Sequence, residues 1–460
     1  MQLYYNVEDK PPIKKMLLAA LQQVMAILAG TIAVPMIVGN GMSQSAALFG
    51  AGIGTLVYLL ITKFKSPVFL GSSFSFAGPM LAAFSGALSM SIGYFGLVLG
   101  AIFSGLVYLI LSIIVKFVGT NWINKLMPPI IIGPTVAVIG LTLAPNAINN
   151  MMTGNVFDAS GKSIASTYLT LLCGLVTLIM TIIISRYSRR TFKLIPFILG
   201  IISGYVLALI FTIFGNAFDV SWLKIIDFSV FKNISWVPDF AFIKAIDGIK
   251  EFSSSKEFWS YALFIFFSFV PVSFVCFTEH IADHKHLSFV IDRNLLDEPG
   301  LKRTLFGDGL GSMVGAFFGG CPNTTYGESI SCTAISKNAS IYSIISAAVM
   351  CIVMSFIGPL MAFFESIPSC VIGGLCVVLY GFIATSGFHM LHDVDFSEHK
   401  NIFVVAVILV IGVGGLAINF RKVEFSPIAC ALFLGILVNY LVNIKKDKNI
   451  DKNKDEDKNE

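Results

Sequence analysis

The sequence has 460 residues, of which 56% are hydrophobic and 13% are charged, and its mean hydropathy is +0.82. Soluble globular domains have about a quarter charged residues, so this composition excludes a soluble protein and makes the lipid bilayer the expected surroundings. The formal net charge of only +4 provides no basic field of the kind that nucleic-acid binding requires, so we expect no nucleic-acid partner.

The first apolar run covers residues 16–38, and no small-residue cleavage site follows a short apolar core. It therefore predicts a permanent membrane span rather than a removed signal peptide. The 8 cysteines are scattered, mostly within apolar runs, and show neither metal-ligand nor disulfide spacing.

Fourteen apolar runs are long enough to cross a bilayer, which takes about 20 mostly apolar residues, or fewer where a span is broken or shielded by protein. The third and tenth runs are short and interrupted by Gly, Ser, Thr or Pro. We therefore predict an all-α polytopic membrane protein with 14 transmembrane segments. The predicted spans are 16–38, 46–62, 68–84, 92–115, 128–147, 168–184, 195–215, 262–284, 303–320, 322–337, 341–364, 371–388, 401–418 and 428–443.

Lysine and arginine predict the orientation of the spans, because cytoplasmic loops contain an excess of these residues. Loops after even-numbered spans hold 14 of them and loops after odd-numbered spans hold 8, five of which lie in the long polar stretch 216–257. Both termini should therefore be cytoplasmic. The last sixteen residues, 445–460, carry six charges of each sign and are typical of a disordered, solvated tail.

Three pairs of similar segments reveal an internal repeat. They match span two with nine, three with ten and five with twelve, so each partner occupies the same rank in its half. Seven spans per repeat is an odd number, so the second copy must be inverted, which is an architecture of secondary transporters. The matched segments are 48–57 with 305–314, 72–74 with 324–326, and 128–133 with 368–373.

The interruptions in spans three and ten predict short extended segments, 71–76 and 322–327, each leading into a half-helix. Two such segments from inverted repeats could pair antiparallel and aim the half-helix N-termini at a ligand. Ordinary helix packing by small residues is the alternative interpretation. The proline at position 322 and the polarity of 323–325 favour the broken span.

Ionisable residues inside spans are costly and so indicate function. Glu279 and Asp283 lie on one face of span eight, four residues apart, and Glu328 follows the break in span ten. Asp308 lies near Lys302 and Arg303, so a local ion pair or an interfacial position is as good an explanation for it as a functional role.

Three histidines, His280, His284 and His286, follow Glu279 closely. The first two are four residues apart, so a zinc site is conceivable. A proton path or a solvated helix end explains the same residues equally well, and no catalytic metal motif is present. We predict no metal, no cofactor and, since no nucleophile–base pair is evident, no enzyme.

Four segments resemble bacterial uracil permeases of the nucleobase–ascorbate transporter (NCS2) family, and the resemblance runs from about Pro11 to Val442. The resemblance implies a core domain of spans 1–4 and 8–11 and a gate domain of spans 5–7 and 12–14. The segments are 279–284 (EHIADH), 294–303 (NLLDEPGLKR), 307–310 (GDGL) and 322–328 (PNTTYGE). The implied boundaries are 1–126 and 258–366 for the core, 127–215 and 367–444 for the gate, 216–257 for an extracytoplasmic loop and 445–460 for the tail.

The resemblance also implies the site. It assigns proton coupling to Glu279, Asp283 and Glu328, although some uracil carriers have histidine where this chain has Asp283. Serines replace asparagine, glycine and threonine of the family signature at positions 329, 331 and 336. The implied nucleobase contacts are Glu279, Glu328, Gly30, Ser73, Phe74, Tyr326, Gly327 and, on span twelve, Tyr380.

Uracil presents a planar edge of N–H donors flanked by carbonyl acceptors, and carboxylates beside backbone N–H donors match that edge. The sequence therefore predicts a proton-coupled uracil symporter that works by alternating access in the cytoplasmic membrane. The family resemblance implies a homodimer through the gate domains. A purine carrier for xanthine or urate stays open, as does an anion exchanger or channel of similar architecture.

Overall fold

The computed structural model describes residues 3–119, 128–158, 162–188, 195–232, 234–392, 394–420, 423–425 and 427–456, without the side chains of 419–420, 423–425 and 444–456. The predicted boundary between residues 126 and 127 lies outside the described residues, and so do the last four residues of the predicted tail, 457–460.

The described chain is mostly helical, with sixteen α-helices, four short strands and several single helical turns. The helices are α1 Ile13–Val38, α2 Gln44–Ile61, α3 Ala77–Ser85, α4 Met90–Val118, α5 Pro129–Met151, α6 Thr167–Tyr187, α7 Pro196–Ala217, α8 Ala241–Lys250, α9 Ser255–Ile291, α10 Leu301–Gly319, α11 Gly327–Ser336, α12 Ile341–Ser355, α13 Gly358–Glu365, α14 Ser369–His389, α15 His399–Val413 and α16 Pro427–Glu456. The strands are β1 Leu70–Ser72, β2 Asn323–Thr325, β3 Ile418–Phe420 and β4 Val423–Phe425.

Helix boundaries follow local signals in the sequence. The Ser43 hydroxyl accepts a hydrogen bond from the Ala46 N–H and begins α2, and Ser254 does the same for α9 through the Glu257 N–H. Such caps satisfy N–H groups that the first helical turn leaves without an intrahelical partner. The longest described helix, α9, has 37 residues and ends at Ile291, and the next residue, Asp292, adopts the left-handed conformation.

Eight helices of the described residues are long and apolar enough to cross a bilayer, and a ninth span results if α12 and α13 are counted together. The chain is therefore a multi-pass membrane protein, while the count of fourteen stays a prediction. The predicted eleventh span, 341–364, consists of α12 and α13, which are bent by 82° at the break between them.

Spans three and ten are broken, as predicted. Strand β1 leads into a helical turn and α3, and β2 leads into α11. The two strands pair antiparallel, with Gly71 opposite Thr324, which confirms the predicted pairing. The prediction of extended backbone over 71–76 was wrong at its end, because Phe74–Phe76 forms a 3₁₀ turn. Helical backbone therefore begins at Phe74, three residues before the first residue of α3.

The repeated glycine motifs of spans two and nine pack against each other. A Cβ atom at Gly54 would lie 2.7 Å from the carbonyl oxygen of Gly311, and one at Gly311 would lie 2.8 Å from that of Gly54. These two positions are equivalent in the repeat, so the contact is nearly symmetric. The helices α2 and α10 therefore cross backbone to backbone, in the manner of small-residue packing in membranes.

The structure divides into two compact units, residues 1–117 with 143–379, and residues 118–142 with 380–460. The first contains β1, β2, the helices that carry them and all predicted site residues except Tyr380. In the second, Gly133 of α5 packs against the Gly387 carbonyl of α14, and β3 pairs antiparallel with β4. The proposed core and gate boundaries stay predictions.

Segments that the sequence assigns to the same side of the membrane contact each other within the first unit. In the N-terminal segment, the Tyr4 N–H donates at 2.8 Å to the carbonyl of Lys337, which follows α11. Glu8 of the same segment forms an ion pair with Arg293, which follows α9. On segments assigned to the opposite side, Lys244 contacts Tyr94 at the start of α4. The contacts agree with the alternation of loops that lysine and arginine predict.

Candidate functional site

The paired strands place two helix starts side by side. Backbone hydrogen bonds extend the pairing, because Ser73 N–H donates to the Pro322 carbonyl at 2.9 Å and Tyr326 N–H donates to the Phe69 carbonyl at 3.1 Å. The Ser329 N–H makes the first backbone bond of α11, to the Tyr326 carbonyl at 3.1 Å, so the Gly327 and Glu328 N–H groups precede the intrahelical ladder. The half-helix therefore presents N–H donors and the positive end of its dipole.

Glu279 lies on α9 beside the first half-helix. The Ser75 hydroxyl lies 3.2 Å from its Oε1 and 3.3 Å from its Oε2, so it donates to the carboxylate. Glu279 stays partly exposed while its neighbours Thr278 and His280 are buried. One carboxylate oxygen is thus left with acceptor capacity toward a ligand.

Asp283 lies one helical turn further along α9, on the same side as Glu279. The Thr325 hydroxyl of β2 donates to Asp283 Oδ2 at 2.7 Å. The other carboxylate oxygen, Oδ1, lies 3.8 Å from the position that a Cβ atom would take at Gly327. Asp283 therefore connects α9 to the second broken span, at the start of its half-helix.

Glu328 is in the first turn of α11, where its negative charge is favourable beside the helix N-terminus. It is partly exposed, like Glu279 and Asp283. Among the described ion pairs none involves any of these three carboxylates. The site thus gathers three acidic groups, two of them held by hydroxyl donors.

Tyr326 is packed between two glycines. Its hydroxyl donates to the Ser72 carbonyl at 2.7 Å, and its side chain is buried. A Cβ atom at Gly71 would lie 2.5 Å from the ring, and one at Gly30 would lie 3.0 Å from the hydroxyl. Gly30 therefore makes room for Tyr326, and its role in substrate contact stays a prediction.

The remaining predicted contacts differ in their surroundings. Phe74 is partly exposed at the start of the 3₁₀ turn, whereas Ser73 is buried with its hydroxyl 3.9 Å from the Cys276 sulfur. Tyr380 is buried on α14 and belongs to the second unit. The roles of these residues in substrate contact stay predictions.

The expected ion pair of Asp308 with Lys302 or Arg303 is not formed in the described chain. It is 1% exposed, and in the described chain its ion-pair partner is His280, with 2.8 Å between Oδ2 and Nδ1. Asp308 follows Arg303 by five residues on α10, so it points to a different face of that helix from Arg303. That face is the one packed toward α9.

His280 has both ring nitrogens engaged, Nδ1 by Asp308 and Nε2 by the Thr304 hydroxyl at 3.0 Å. His284 is equally engaged, since its Nδ1 lies 2.8 Å from the His280 carbonyl and its Nε2 lies 2.7 Å from the Tyr58 hydroxyl. These histidines hold the structure together through hydrogen bonds, and neither ring keeps a free nitrogen for a metal.

Sequence reasoning missed Ser75 and Thr325 as partners of the carboxylates. Both are hydroxyl residues at the break of a span, within segments already singled out as polar. Their proximity to span eight depends on the strand pairing and on the docking of α9. For Thr325 the signal available in the sequence was the hydroxyl pair 324–325, which repeats the pair 72–73, whereas Ser75 lies outside that pair.

A family model described as a permease family matches residues 14–420. The chain belongs to this family, the nucleobase–ascorbate transporters. The match includes the two broken spans, α9 and α10, and therefore the whole site in the first unit. The sequence resemblance to this family is thus confirmed.

Curated relatives match over nearly their full length. A uracil permease of Bacillus caldolyticus is 36% identical over 442 residues, which cover 95% of this chain and 94% of that protein. A uracil permease of Bacillus subtilis (strain 168) is also 36% identical, over 449 residues and 96% of each chain.

Solved structures share the fold at low sequence identity. The transmembrane domain of the cyanobacterial bicarbonate transporter BicA has a TM-score of 0.59 and 13% identity, with 95% of this chain and 98% of that chain covered. A structure of SLC26A9 gives a TM-score of 0.64 at 11% identity and 94% of this chain. This chain spans 66% of the SLC26A9 chain's length.

Proposed function

We propose that this family member is a proton-coupled symporter that imports uracil across the cytoplasmic membrane. The observation that carries the proposal is the grouping of Glu279 and Glu328 with the N-terminus of α11 at the paired breaks of two spans. Near-full-length similarity to uracil permeases supports uracil as the substrate.

The chemistry of the site fits the edge of a uracil ring. Uracil N–H groups need acceptors, which Glu279 and Glu328 provide, and its carbonyl oxygens need donors, which the first N–H groups of α11 provide. Phe74, partly exposed beside them, supplies an aromatic surface against the planar ring. Charged groups inside a membrane are costly, so their retention at this place favours a substrate or ion site.

Proton coupling follows from the same carboxylates. Three acidic groups without a lysine or arginine partner in the described chain repel one another, so binding a proton relieves both repulsion and desolvation. Uptake of a proton would then accompany uptake of neutral uracil. We propose that movement of the core domain against the gate domain alternately exposes the site, and that the gate domains form a homodimer.

Uptake of radiolabelled uracil by proteoliposomes tests the proposal. An inward proton gradient should drive accumulation well above the level reached without a gradient, and a sodium gradient alone should not. Uptake that is absent, or equal in rate and extent with and without the proton gradient, would contradict the proposal. Xanthine and urate, added in excess, should compete weakly, and strong competition would favour a purine carrier.

Two substitutions test the site. Glu279→Gln and Glu328→Gln should each reduce uracil affinity by 10-fold or more, since hydrogen bonds to a charged group contribute about 1.5–3 kcal/mol. Glu251→Gln, at an exposed position outside the spans, is the matched control and should bind uracil normally. Wild-type affinity in either site variant would remove that glutamate from the site.

A further inference from the structure

Asp308 and His280 form a buried acid–base pair that the proposed uracil contacts do not use. Their side chains are 1% and 0% exposed, and Asp308 Oδ2 lies 2.8 Å from His280 Nδ1. The second ring nitrogen, Nε2, lies 3.0 Å from the Thr304 hydroxyl. The pair joins α9, which carries the uracil-site carboxylates, to α10.

This arrangement accepts two protonation states that differ by one proton. With Asp308 ionised, the His280 Nδ1–H donates to the carboxylate and Nε2 accepts from the Thr304 hydroxyl. With one proton more, both ring nitrogens of His280 carry a proton. Nδ1–H still donates to the Asp308 carboxylate, Nε2–H donates to the Thr304 hydroxyl, and that hydroxyl turns to the Leu301 carbonyl, 3.1 Å away. The contacts of His280 with Asp308 and with Thr304 are kept in both states without displacement of a heavy atom, because the Thr304 hydroxyl acts as donor or acceptor as required. Only the bond to the Leu301 carbonyl is confined to the protonated state.

The neighbouring histidine does not take part in this exchange. His284 stacks on His280 with 4.0 Å between ring centroids. Its Nδ1 faces the His280 carbonyl, which is an acceptor, so this nitrogen carries the proton. Its Nε2 is then an acceptor for the hydroxyl pair of Tyr58 and Ser66, which lie 2.7 and 3.3 Å away and bond to each other. The exchangeable proton is therefore confined to the cluster of Asp308, His280 and Thr304.

The described groups around Asp308 provide no cation to neutralise its carboxylate, so a bound proton is the species that balances this charge. In the described chain Asp308 Oδ1 has no hydrogen-bond partner, and burial of a charged group without full hydrogen bonding is costly. The titratable groups that face the pair are Tyr108 of α4, whose ring lies 6.3 Å from that of His280, Tyr58 of α2 through His284, and Cys276, Glu279 and Asp283 of α9. These groups are acidic or neutral, and none supplies a fixed positive charge.

We propose that Asp308 and His280, with Thr304, form a proton-binding site distinct from the uracil-binding carboxylates. The site takes up and releases one proton in each transport cycle, and α9 links it to Glu279, the residue that directly precedes His280. This inference deepens the proposed proton-coupled uptake and rests on it. Asp308 acts on transport through the proton, without contact to uracil.

Asp308→Asn tests the proposal because it removes the exchangeable proton and leaves a side chain of similar size. We expect this variant to bind uracil within about threefold of wild type and to exchange internal for external uracil at a normal rate. Accumulation driven by a proton gradient should fall at least 10-fold, and uracil binding should no longer be accompanied by the uptake of that proton, measured with a pH-sensitive dye in weak buffer.

A pair of variants at Thr304 provides an independent measurement should Asp308→Asn fail to fold. Thr304→Val removes the hydroxyl that serves both protonation states and should lose gradient-driven accumulation while keeping exchange. Thr304→Ser retains the hydroxyl and should accumulate uracil like wild type. Equal accumulation by both Thr304 variants would overturn the proposal, and so would gradient-driven accumulation by Asp308→Asn.

The wild-type protein separates this proposal from the one on which it rests. If wild type fails to accumulate uracil under a proton gradient, the proposed coupling is wrong and the proton site is refuted with it. If wild type couples and Asp308→Asn couples equally, uptake stays proton-driven and only the additional site is refuted.

Discussion

At the scale of single residues, the position of Tyr326 depends on two neighbouring glycines that have no side chains. Its ring fills the space between Gly30 and Gly71, and its hydroxyl is bound to the Ser72 carbonyl. The ring thereby fixes the end of β1 next to the start of α11. A tyrosine predicted to contact the nucleobase thus also holds the two broken spans in register.

Gly71→Ala should disrupt this packing more than Gly30→Ala. A Cβ atom at Gly71 would lie 2.5 Å from the Tyr326 ring, an impossible contact, whereas one at Gly30 would need a shift of only a few tenths of an ångström. We expect Gly71→Ala to lower stability by about 1–3 kcal/mol and to abolish uracil binding. Thermal unfolding in detergent and a uracil-binding assay check both variants, and equal tolerance of the two would contradict this packing.

At the scale of secondary-structure elements, the decisive contact is the crossing of α2 and α10. Sequence comparison identified their glycine motifs as repeats of each other, and the structure shows that the two copies are also partners. Glycines at 54 and 311 leave the backbones in contact, which places Thr55 of α2 within hydrogen-bond distance of both backbone groups of Leu70. The crossing therefore positions β1 as well.

Gly311→Ala is expected to force α2 and α10 apart, because its Cβ atom would lie 2.8 Å from the Gly54 carbonyl oxygen. We predict a loss of about 1–3 kcal/mol and a weaker uracil affinity through displacement of the paired strands. Gly381→Ala, also within a helix, is the matched control, since a Cβ atom there would meet nothing within 4 Å in the described chain. Equal melting temperatures for both variants would argue against the close crossing.

The N-terminal segment is a second element whose contribution depends on pH. Side-chain hydrogen bonds from Arg293, at 2.5 and 2.7 Å, hold the pKa of Glu8 below its ordinary value. The pair therefore contributes stability above the unfolded pKa of about 4.5, and this contribution is lost as pH falls through the lower folded value. Both side chains are substantially exposed, so solvent screening limits the gain to about 1 kcal/mol or less.

Glu8→Gln should accordingly lower the unfolding temperature slightly at pH 7 and have a smaller effect near pH 3. Thermal unfolding of the purified protein in detergent at the two pH values checks this expectation. Lys285→Gln, at an exposed position, serves as the control for a simple change of net charge. A Glu8→Gln effect that is larger at pH 3 than at pH 7 would have the wrong sign for this ion pair.

At the scale of the whole molecule, contacts between loops support one orientation scheme. The N-terminal segment contacts loops that follow α9 and α11, and the loop after α2 reaches Glu298 through Lys65. All of these loops follow even-numbered predicted spans. The positive-inside pattern predicts that this common side faces the cytoplasm.

Labelling of single introduced cysteines tests the orientation. The eight native cysteines are buried, so background labelling by a membrane-impermeant maleimide should be low. Lys10→Cys should react only after the membrane is permeabilised, whereas Lys256→Cys, at the start of α9 on the side predicted to face outside, should react in intact cells. Both positions are exposed, and the reverse pattern would invert the proposed topology.

The sequence by itself determined the membrane class and the broken spans, and it predicted the inverted repeat and the acidic residues of the candidate site, because hydropathy, glycine pattern and rare charges are local properties of the chain. Only the tertiary structure decided which hydroxyl faces which carboxylate. It joined Ser75 to Glu279, Thr325 to Asp283 and Asp308 to His280 across different elements. Such pairs depend on the rotation and spacing of packed helices, which no local pattern specifies.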